Sequence, residues 1–227
     1  MKDTANALLV ASGSRYKRLN VSGESKYIGS GIHFCATCDG PFYKGEKIIV
    51  VGGGNSAAEE SIFLLNFVEH VTMLVRSDKL SASQILVDKI AHLENRGRID
   101  VKYQWEVESF QGKGGKMTGV LVKNNQTNET QTLKSPAAFL FIGLLPNVSF
   151  LKNSGVLTNE WGFIVTGHDL LHGEHNHFAV KPSPFETSVP GIFAAGDVRM
   201  GSTKQVASAT GEGASAALVI REYLKTV

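Results

Sequence analysis

Lys47-Ile48-Ile49-Val50-Val51-Gly52-Gly53-Gly54-Asn55-Ser56-Ala57-Ala58 decides how the rest of this chain reads. After the lysine, four β-branched apolar residues spell a buried strand. The glycines then turn the chain into Glu59 to Phe67, where apolar residues recur at helical spacing. A second apolar strand, Val71 to Val75, follows Glu69-His70. Strand, turn, helix and strand make one βαβ unit, the unit from which parallel sheets are built. Gly52-x-Gly54-x-x-Ala57 thus sits after a strand and opens a helix, the context that makes a glycine pattern a dinucleotide-binding fingerprint. The first glycine permits a tight turn, the second lets backbone approach a pyrophosphate, and the small Ala57 allows close helix-to-strand packing. Amides of the helix start, at Asn55 and Ser56, face the anion. A Gly-rich turn with a purely structural role is the competing reading.

At the end of the second strand an Asp or Glu would bind the ribose hydroxyl of NAD, but the chain has Val75-Arg76-Ser77. Arg76 points to a 2′-phosphate and hence to NADPH, with Lys79 placed to assist; a solvated strand-end cation is the alternative. Working outward, Ser83 to Leu93 reads as another helix. Asp100 to Leu133 reads as an antiparallel meander of short strands (Val101 to Tyr103, Gly119 to Val122, Thr130 to Leu133), separated by Gly112-Lys113-Gly114-Gly115 and the polar Asn124 to Asn128. Phe139 to Gly143 is one more buried strand, and Pro146-Asn147 breaks it at a domain boundary. Ala7 to Gly13 reads as a strand, and Gly191 to Asp197 leads into a helix over Gly211 to Leu224. His168 to Ser183, with four histidines and no periodicity, reads as an inserted loop.

The 227 residues, 42% of them hydrophobic, leave room for one large domain or two ordinary ones. Twenty-three basic against twenty-one acidic side chains give a formal charge of +2 with no Lys/Arg cluster, so no nucleic-acid partner is expected. The longest strongly apolar stretch, Ala137 to Leu145, falls far short of the roughly 18 residues a membrane span needs. The N-terminal apolar run is short and preceded by Asp3, which argues against a secretory signal. Asn-x-Ser/Thr triplets at Asn20, Asn125, Asn128 and Asn147 would matter only in a secreted protein. The cytoplasm is the expected compartment.

Only two cysteines occur, in Cys35-Ala36-Thr37-Cys38-Asp39. Such a pair can cycle between dithiol and disulfide, a lowered pKa making one thiol the attacking thiolate, and Asp39 is placed to shuttle the proton. Zinc would need about four ligands, and only His33 lies close by; no metal is expected here. Zinc binding by His172, His175 and His177 of the inserted loop is a separate reading. Gly196-Asp197 follows an apolar strand and precedes a small-residue helix, so the acid can bond a cofactor hydroxyl; an ordinary turn or cap residue is the alternative.

These pieces stand in the order of the low-molecular-weight thioredoxin reductases, which the chain resembles from about Ala7 to Leu224. Cys35 to Gly40 is similar to that family's redox hexapeptide, Gly52 to Ala57 to its NADPH turn, and Glu186 to Asp197 to its flavin signature. Leu8 to Gly13 is similar to the strand leaving its first flavin segment. The resemblance implies an α/β protein of two Rossmann-like three-layer (ββα) nucleotide-binding domains. An NAD(P)H domain at 29–143 would carry the CxxC, and a discontinuous FAD domain at 1–28 and 144–227 would lack its first βαβ unit, which has no counterpart before Met1. It also implies that NADPH reduces FAD, FAD reduces a Cys35–Cys38 disulfide, and the dithiol reduces a protein such as thioredoxin. Cys38 would face the flavin, Cys35 would attack the partner, and Asp39 would be the acid/base. Asp197, Lys204, Gln205 and Val206 would lie along the FAD, near Gly13 and Gly196. Domain rotation about hinges near Lys26 to Ser30 and Gly143 to Pro146, and a homodimer, are further family expectations. The family's His-Arg-Arg with a later Arg is here Val75-Arg76-Ser77 with Ser81, which leaves NADH open beside NADPH. Val75 to Asp78, the His168 to Ser183 loop and Arg199 to Ser208 are closer to relatives fused to cyclic-nucleotide-binding modules, so the acceptor need not be thioredoxin itself and is left open between thioredoxin and a thioredoxin-like protein. A flavin-free nucleotide-binding or assembly module without catalysis is the rival reading.

Overall fold

The computed structural model describes residues 4–171 and 182–227. In chain order its elements are β1 (Leu8–Val10), β2 (Ser14–Tyr16), α1 (Glu24–Tyr27), β3 (Ile32–His33), α2 (Ala36–Asp39), β4 (Lys47–Val51), α3 (Asn55–Leu64), β5 (His70–Val75), α4 (Gln84–Asn95), β6 (Ile99–Tyr103), β7 (Trp105–Lys113), β8 (Lys116–Asn124), β9 (Thr130–Lys134), β10 (Ala138–Leu140), β11 (Leu144–Pro146), β12 (Ile192–Ala194) and α5 (Val206–Tyr223). Two compact units result: the first unit takes the chain up to Arg15 and from Leu144 onward, the second takes Tyr16–Gly143.

The second unit is built on a parallel sheet in the order β3-β10-β4-β5-β6, with Ile48 opposite Val71 and Val71 opposite Ile99. Because successive strand residues point to opposite faces, Ile48 and Val50 pack with Ala57, Ala58 and Leu64 of α3 and Ile90 of α4. Ile49 and Val51 face the other way, onto Val107 and Phe110 of β7 and Val120 and Val122 of β8. Strand β10, between β3 and β4, divides likewise, Phe139 belonging to the helical core and Ala138 and Leu140 to the other. Helices, parallel sheet and antiparallel sheet give the three-layer ββα arrangement.

Two expectations are corrected in this unit. Val101 to Tyr103 is not a meander strand but the end of β6, paired in parallel with β5. The antiparallel sheet is β7-β8-β9, and its first strand went unread because a register shift between Val107 and Ser109 interrupts the two-residue alternation. Gln104, at φ 64, makes the one-residue turn from β6 into β7. The second correction concerns Tyr16 to Ile28, expected with the flavin domain, which folds with the second unit. Phe110 N donates to Ser22 O at 2.9 Å, and Tyr27 is buried with Phe110 and Met117. The buried Glu24 carboxylate ties the segment down by accepting from Arg18 Nε (3.0 Å), Leu19 N (3.1 Å) and Asn20 N (2.7 Å).

In the first unit β1 runs parallel to β12, with Leu8, Leu9 and Val10 opposite Ile192, Phe193 and Ala194. Val10 and Ala194 share a small core with Ile164 and Val198, and Tyr223 of α5 meets the Phe193 ring edge-on at 5.5 Å. α5 begins at Val206, one and a half turns before the expected Gly211, and carries Gly211 and Gly213 within it. His168 lies in a 3-10 turn, Gly167–Leu171; His172, His175 and His177 lie outside the described residues.

Candidate redox and nucleotide sites

Since β3, β10, β4 and β5 run parallel, their carboxyl ends form one edge, where open α/β sheets bind ligands. Gly52 leaves β4 there at φ 144. A Cβ on Gly52 would stand 2.5 Å from Phe141 O and 2.9 Å from the Ala57 Cβ, so only glycine fits between strand and helix. Gly53 lies over the Val75 side chain. Gly54 differs: its backbone is extended (φ −90), no side-chain bond caps α3 there, and its Cβ would meet nothing nearer than Ser81 Oγ at 3.7 Å. The open space beside Gly54 and the uncapped first turn of α3 fit a pyrophosphate.

The remaining nucleotide candidates gather around this turn. Ala57 is fully buried, while Asn55 and Ser56 are exposed. Asn55 Oδ1 accepts from Ser83 N at 2.7 Å, which commits that oxygen to holding the loop before α4. Ser81 donates to Gly53 O through both N (2.8 Å) and Oγ (3.2 Å), a brace across the turn that the sequence reading did not include. Arg76 is exposed just past β5, its carbonyl fixed by Asn125 Nδ2 at 2.7 Å.

The dithiol follows β3 on the same edge. Cys35 and Cys38 form a disulfide with their Cα atoms 5.3 Å apart. Cys35 caps α2, its Sγ accepting from Cys38 N at 3.1 Å; Cys35 is half-buried and Cys38 exposed. Asp39 Oδ2 lies 3.3 Å from His33 Nδ1, and His33 Nε2 lies 2.7 Å from Tyr43 Oη. His33, for which the sequence suggests only a metal-ligand role, is buried and its ring lies 5.2 Å from that of Phe139. Burial pushes the His33 pKa below its ordinary value against the opposing pull of Asp39. Burial, and then the Asp39 charge, raise that of Tyr43. Among the described residues no three His, Cys, Asp or Glu side chains gather as metal ligands.

The first unit holds the other candidates. Gly13, at φ 68, turns the chain after β1, its carbonyl accepting from Asn147 N at 3.0 Å. Ser12 and Asn147 lock that turn by exchanging side-chain bonds to each other's carbonyls at 2.7 and 2.9 Å. Gly196 is buried at φ 75. Asp197 Oδ1 is buried without a hydrogen-bonding partner among the described residues. An acceptor so placed is costly unless a ligand donor meets it. Lys204 Nζ donates to Asp197 O and Arg199 O, both at 2.9 Å, and lies 4.2 Å from the Phe163 ring centroid. Gln205 stands at the N-cap position of α5 in extended backbone, with no side-chain bond capping the helix there, and Val206 is exposed. Glu212, unread in the sequence, accepts from Gly196 N (2.8 Å), Arg199 Nε (3.1 Å) and Arg199 Nη2 (2.9 Å) and so sets the Gly196-Asp197 turn on α5.

A sequence model of the pyridine nucleotide-disulphide oxidoreductases matches residues 1–213. The chain belongs to that family. It is similar to the thioredoxin reductase of Bacillus subtilis (strain 168), 37% identical over 221 residues that cover 97% of this chain and 64% of that protein. The thioredoxin reductase of Treponema pallidum (strain Nichols) is 36% identical, with 99% of this chain and 66% of the relative covered. Among solved structures, thioredoxin reductase from Streptococcus pyogenes MGAS5005 superposes with a TM-score of 0.82 at 33% identity, covering 97% of this chain and 66% of that one. The enzyme from Giardia duodenalis gives a TM-score of 0.83 at 33% identity, covering 96% and 66%. The chain therefore spans a little under two thirds of the length of these relatives. Pyridine nucleotide-disulphide oxidoreductases of this kind are FAD-dependent and use NADPH. The open cradle at Gly54 fits the nicotinamide nucleotide, and the orphaned Asp197 Oδ1 fits a flavin hydroxyl.

Proposed function

We propose that this chain carries out the NADPH-binding and dithiol steps of a thioredoxin-reductase-like flavoprotein, with Cys35–Cys38 passing electrons to a protein disulfide of the thioredoxin type. The observation that carries this reading is a Cys35–Cys38 disulfide on the same sheet edge as the Gly52–Ala57 turn. In this reading the second unit holds NADPH through Gly52, Gly54, Ala57, the amides of Asn55 and Ser56, and Arg76. The first unit holds part of the flavin through Gly13, Gly196, Asp197, Lys204, Gln205 and Val206. Bound FAD supplies the two-electron relay between nicotinamide and disulfide.

The protein's own part is the thiol chemistry. Two electrons and two protons convert the Cys35–Cys38 disulfide into two thiols. Cys35, as thiolate, attacks the partner disulfide; one S–S bond forms, one breaks, and the leaving thiolate takes a proton. The Cys38 amide that bonds Cys35 Sγ in the disulfide is in place to stabilise that thiolate. Cys38 then gives its proton to Asp39 and attacks Cys35 Sγ, closing the intramolecular disulfide and expelling the second partner sulfur as a thiolate, which takes the proton back from Asp39.

The test uses the full chain with added FAD and NADPH. Cys35→Ser and Cys38→Ser each abolish turnover of a disulfide substrate while leaving NADPH binding intact; residual turnover in both variants refutes the dithiol role. If the wild-type chain takes up no flavin and gives no turnover, it acts as a nucleotide-binding or assembly module instead.

A further inference from the structure

We propose that His33 is a positioning residue for the dithiol chemistry, holding the Asp39 carboxylate from beneath α2 with one ring nitrogen while Tyr43 fixes the other. The inference rests on the dithiol reading above and adds a residue to it.

The geometry is a chain of two hydrogen bonds: Asp39 Oδ2 to His33 Nδ1 at 3.3 Å, and His33 Nε2 to Tyr43 Oη at 2.7 Å. An ionised carboxylate only accepts, so His33 Nδ1 must carry the hydrogen; Nε2 of the neutral ring then accepts from the Tyr43 hydroxyl. Burial favours that neutral form, so the Asp39 contact is a hydrogen bond rather than an ion pair. When Asp39 takes a proton on its other oxygen, Oδ2 remains an acceptor, so the same three groups stay bonded with His33 Nδ1–H still donating and the tautomer unchanged. The imidazole thus keeps its grip on Asp39 in both states the base must visit, while Tyr43 holds the ring's other nitrogen.

The surroundings hold the ring still. Phe139 of β10 lies 5.2 Å from the imidazole centroid, and Tyr43 meets the ring edge-on at 5.2 Å. Among the described residues, Asp39 from α2 and Tyr43 from the Gly40–Tyr43 turn are the titratable groups that reach His33, and β10 offers only the apolar Phe139. Asp39 itself directly follows Cys38.

The experiment needs no flavin. The full chain, chemically reduced, is mixed with an aromatic disulfide such as dithionitrobenzoate, and release of the second aryl thiolate is followed, since it reports attack of Cys38 on the mixed disulfide at Cys35. Below the pH at which Cys38 ionises unaided, ring closure needs the base. There His33→Phe is expected to slow it about tenfold, while at alkaline pH the rate stays at the wild-type value. His33→Asn, whose amide can donate in place of Nδ1, restores most of the rate and guards against damage from the bulkier variant. In an Asp39→Asn background His33→Phe adds nothing, because the two act as one unit. An equal loss at every pH, or an additive loss in the double variant, overturns the proposal. If wild-type chain releases no second thiolate at any pH, the dithiol reading itself fails and takes this inference with it.

Discussion

Replacing Gly54 by Ala and, separately, Gly52 by Ala separates what the glycine turn does for the fold from what it does for a ligand. At Gly52 the backbone sits at φ 144 and an added Cβ would stand 2.5 Å from Phe141 O, a backbone atom just past β10 that cannot swing away as a side chain could. Forcing an L side chain into that region costs about 1–3 kcal/mol, and overpacking against backbone adds a similar amount. Gly52→Ala should therefore lose about 3 kcal/mol of stability. At Gly54 the backbone is already extended and the new methyl meets only Ser81 Oγ at 3.7 Å, an ordinary contact. That variant should keep its stability or gain about 0.4–1 kcal/mol through a stiffer unfolded chain. Its methyl would, however, fill the space through which a pyrophosphate approaches the backbone, so NADPH should bind at least about tenfold more weakly, or about 1.4 kcal/mol. Urea denaturation and equilibrium titration with NADPH read the two quantities independently. A folded Gly54→Ala chain with unchanged NADPH affinity would show that the nucleotide does not sit on this turn.

Further outcomes follow from other residues. Arg76→Ala should weaken NADPH several-fold and leave NADH unaffected; an equal loss for both would assign Arg76 to the solvated surface. Removing the Glu24 carboxylate strands Leu19 N and Asn20 N, so Glu24→Ala should cost about 2–3 kcal/mol in denaturation, and a neutral result would contradict the placement of Tyr16 to Ile28 on the second unit. Glu212 is pushed up by burial, but the Arg199 hydrogen bond, the Gly196 amide and the charges of Arg199 and Lys204 outweigh this and hold its pKa below the ordinary value. A carboxyl with a depressed folded pKa contributes stability that is present above the ordinary carboxylate range and lost as pH falls through the depressed value. Acid titration of stability should therefore show a loss below that range that Glu212→Gln flattens, and identical acid limbs in the two proteins would refute it.

What could be read from the sequence, and what could not, divides along a physical line. The turn at Gly52 was legible because its requirements are local: a strand period, a positive-φ glycine and a small residue at Ala57 all fall within one short stretch. The cysteine pair was legible for the same reason, since three residues of separation bring its Cα atoms to 5.3 Å. The β7 strand was hidden by a bulge that breaks its period, and the Tyr16 to Ile28 segment by a docking partner, Phe110, far along the chain. Glu212 shows how a long-range bond escapes pattern: an acid set among the small residues of the first turns of α5 becomes the anchor of the Gly196-Asp197 turn only once α5 is packed. His33 makes the same point over a short distance. Six residues separate it from Asp39, yet no spacing rule joins them; the pairing depends on β3 burying the imidazole against Phe139 while α2 folds the carboxylate back above it. The residues that would move electrons are thus written into local motifs, whereas those that would manage the accompanying proton are set by packing, and it is on the packed residues that the pH dependence of ring closure gives the sharper test.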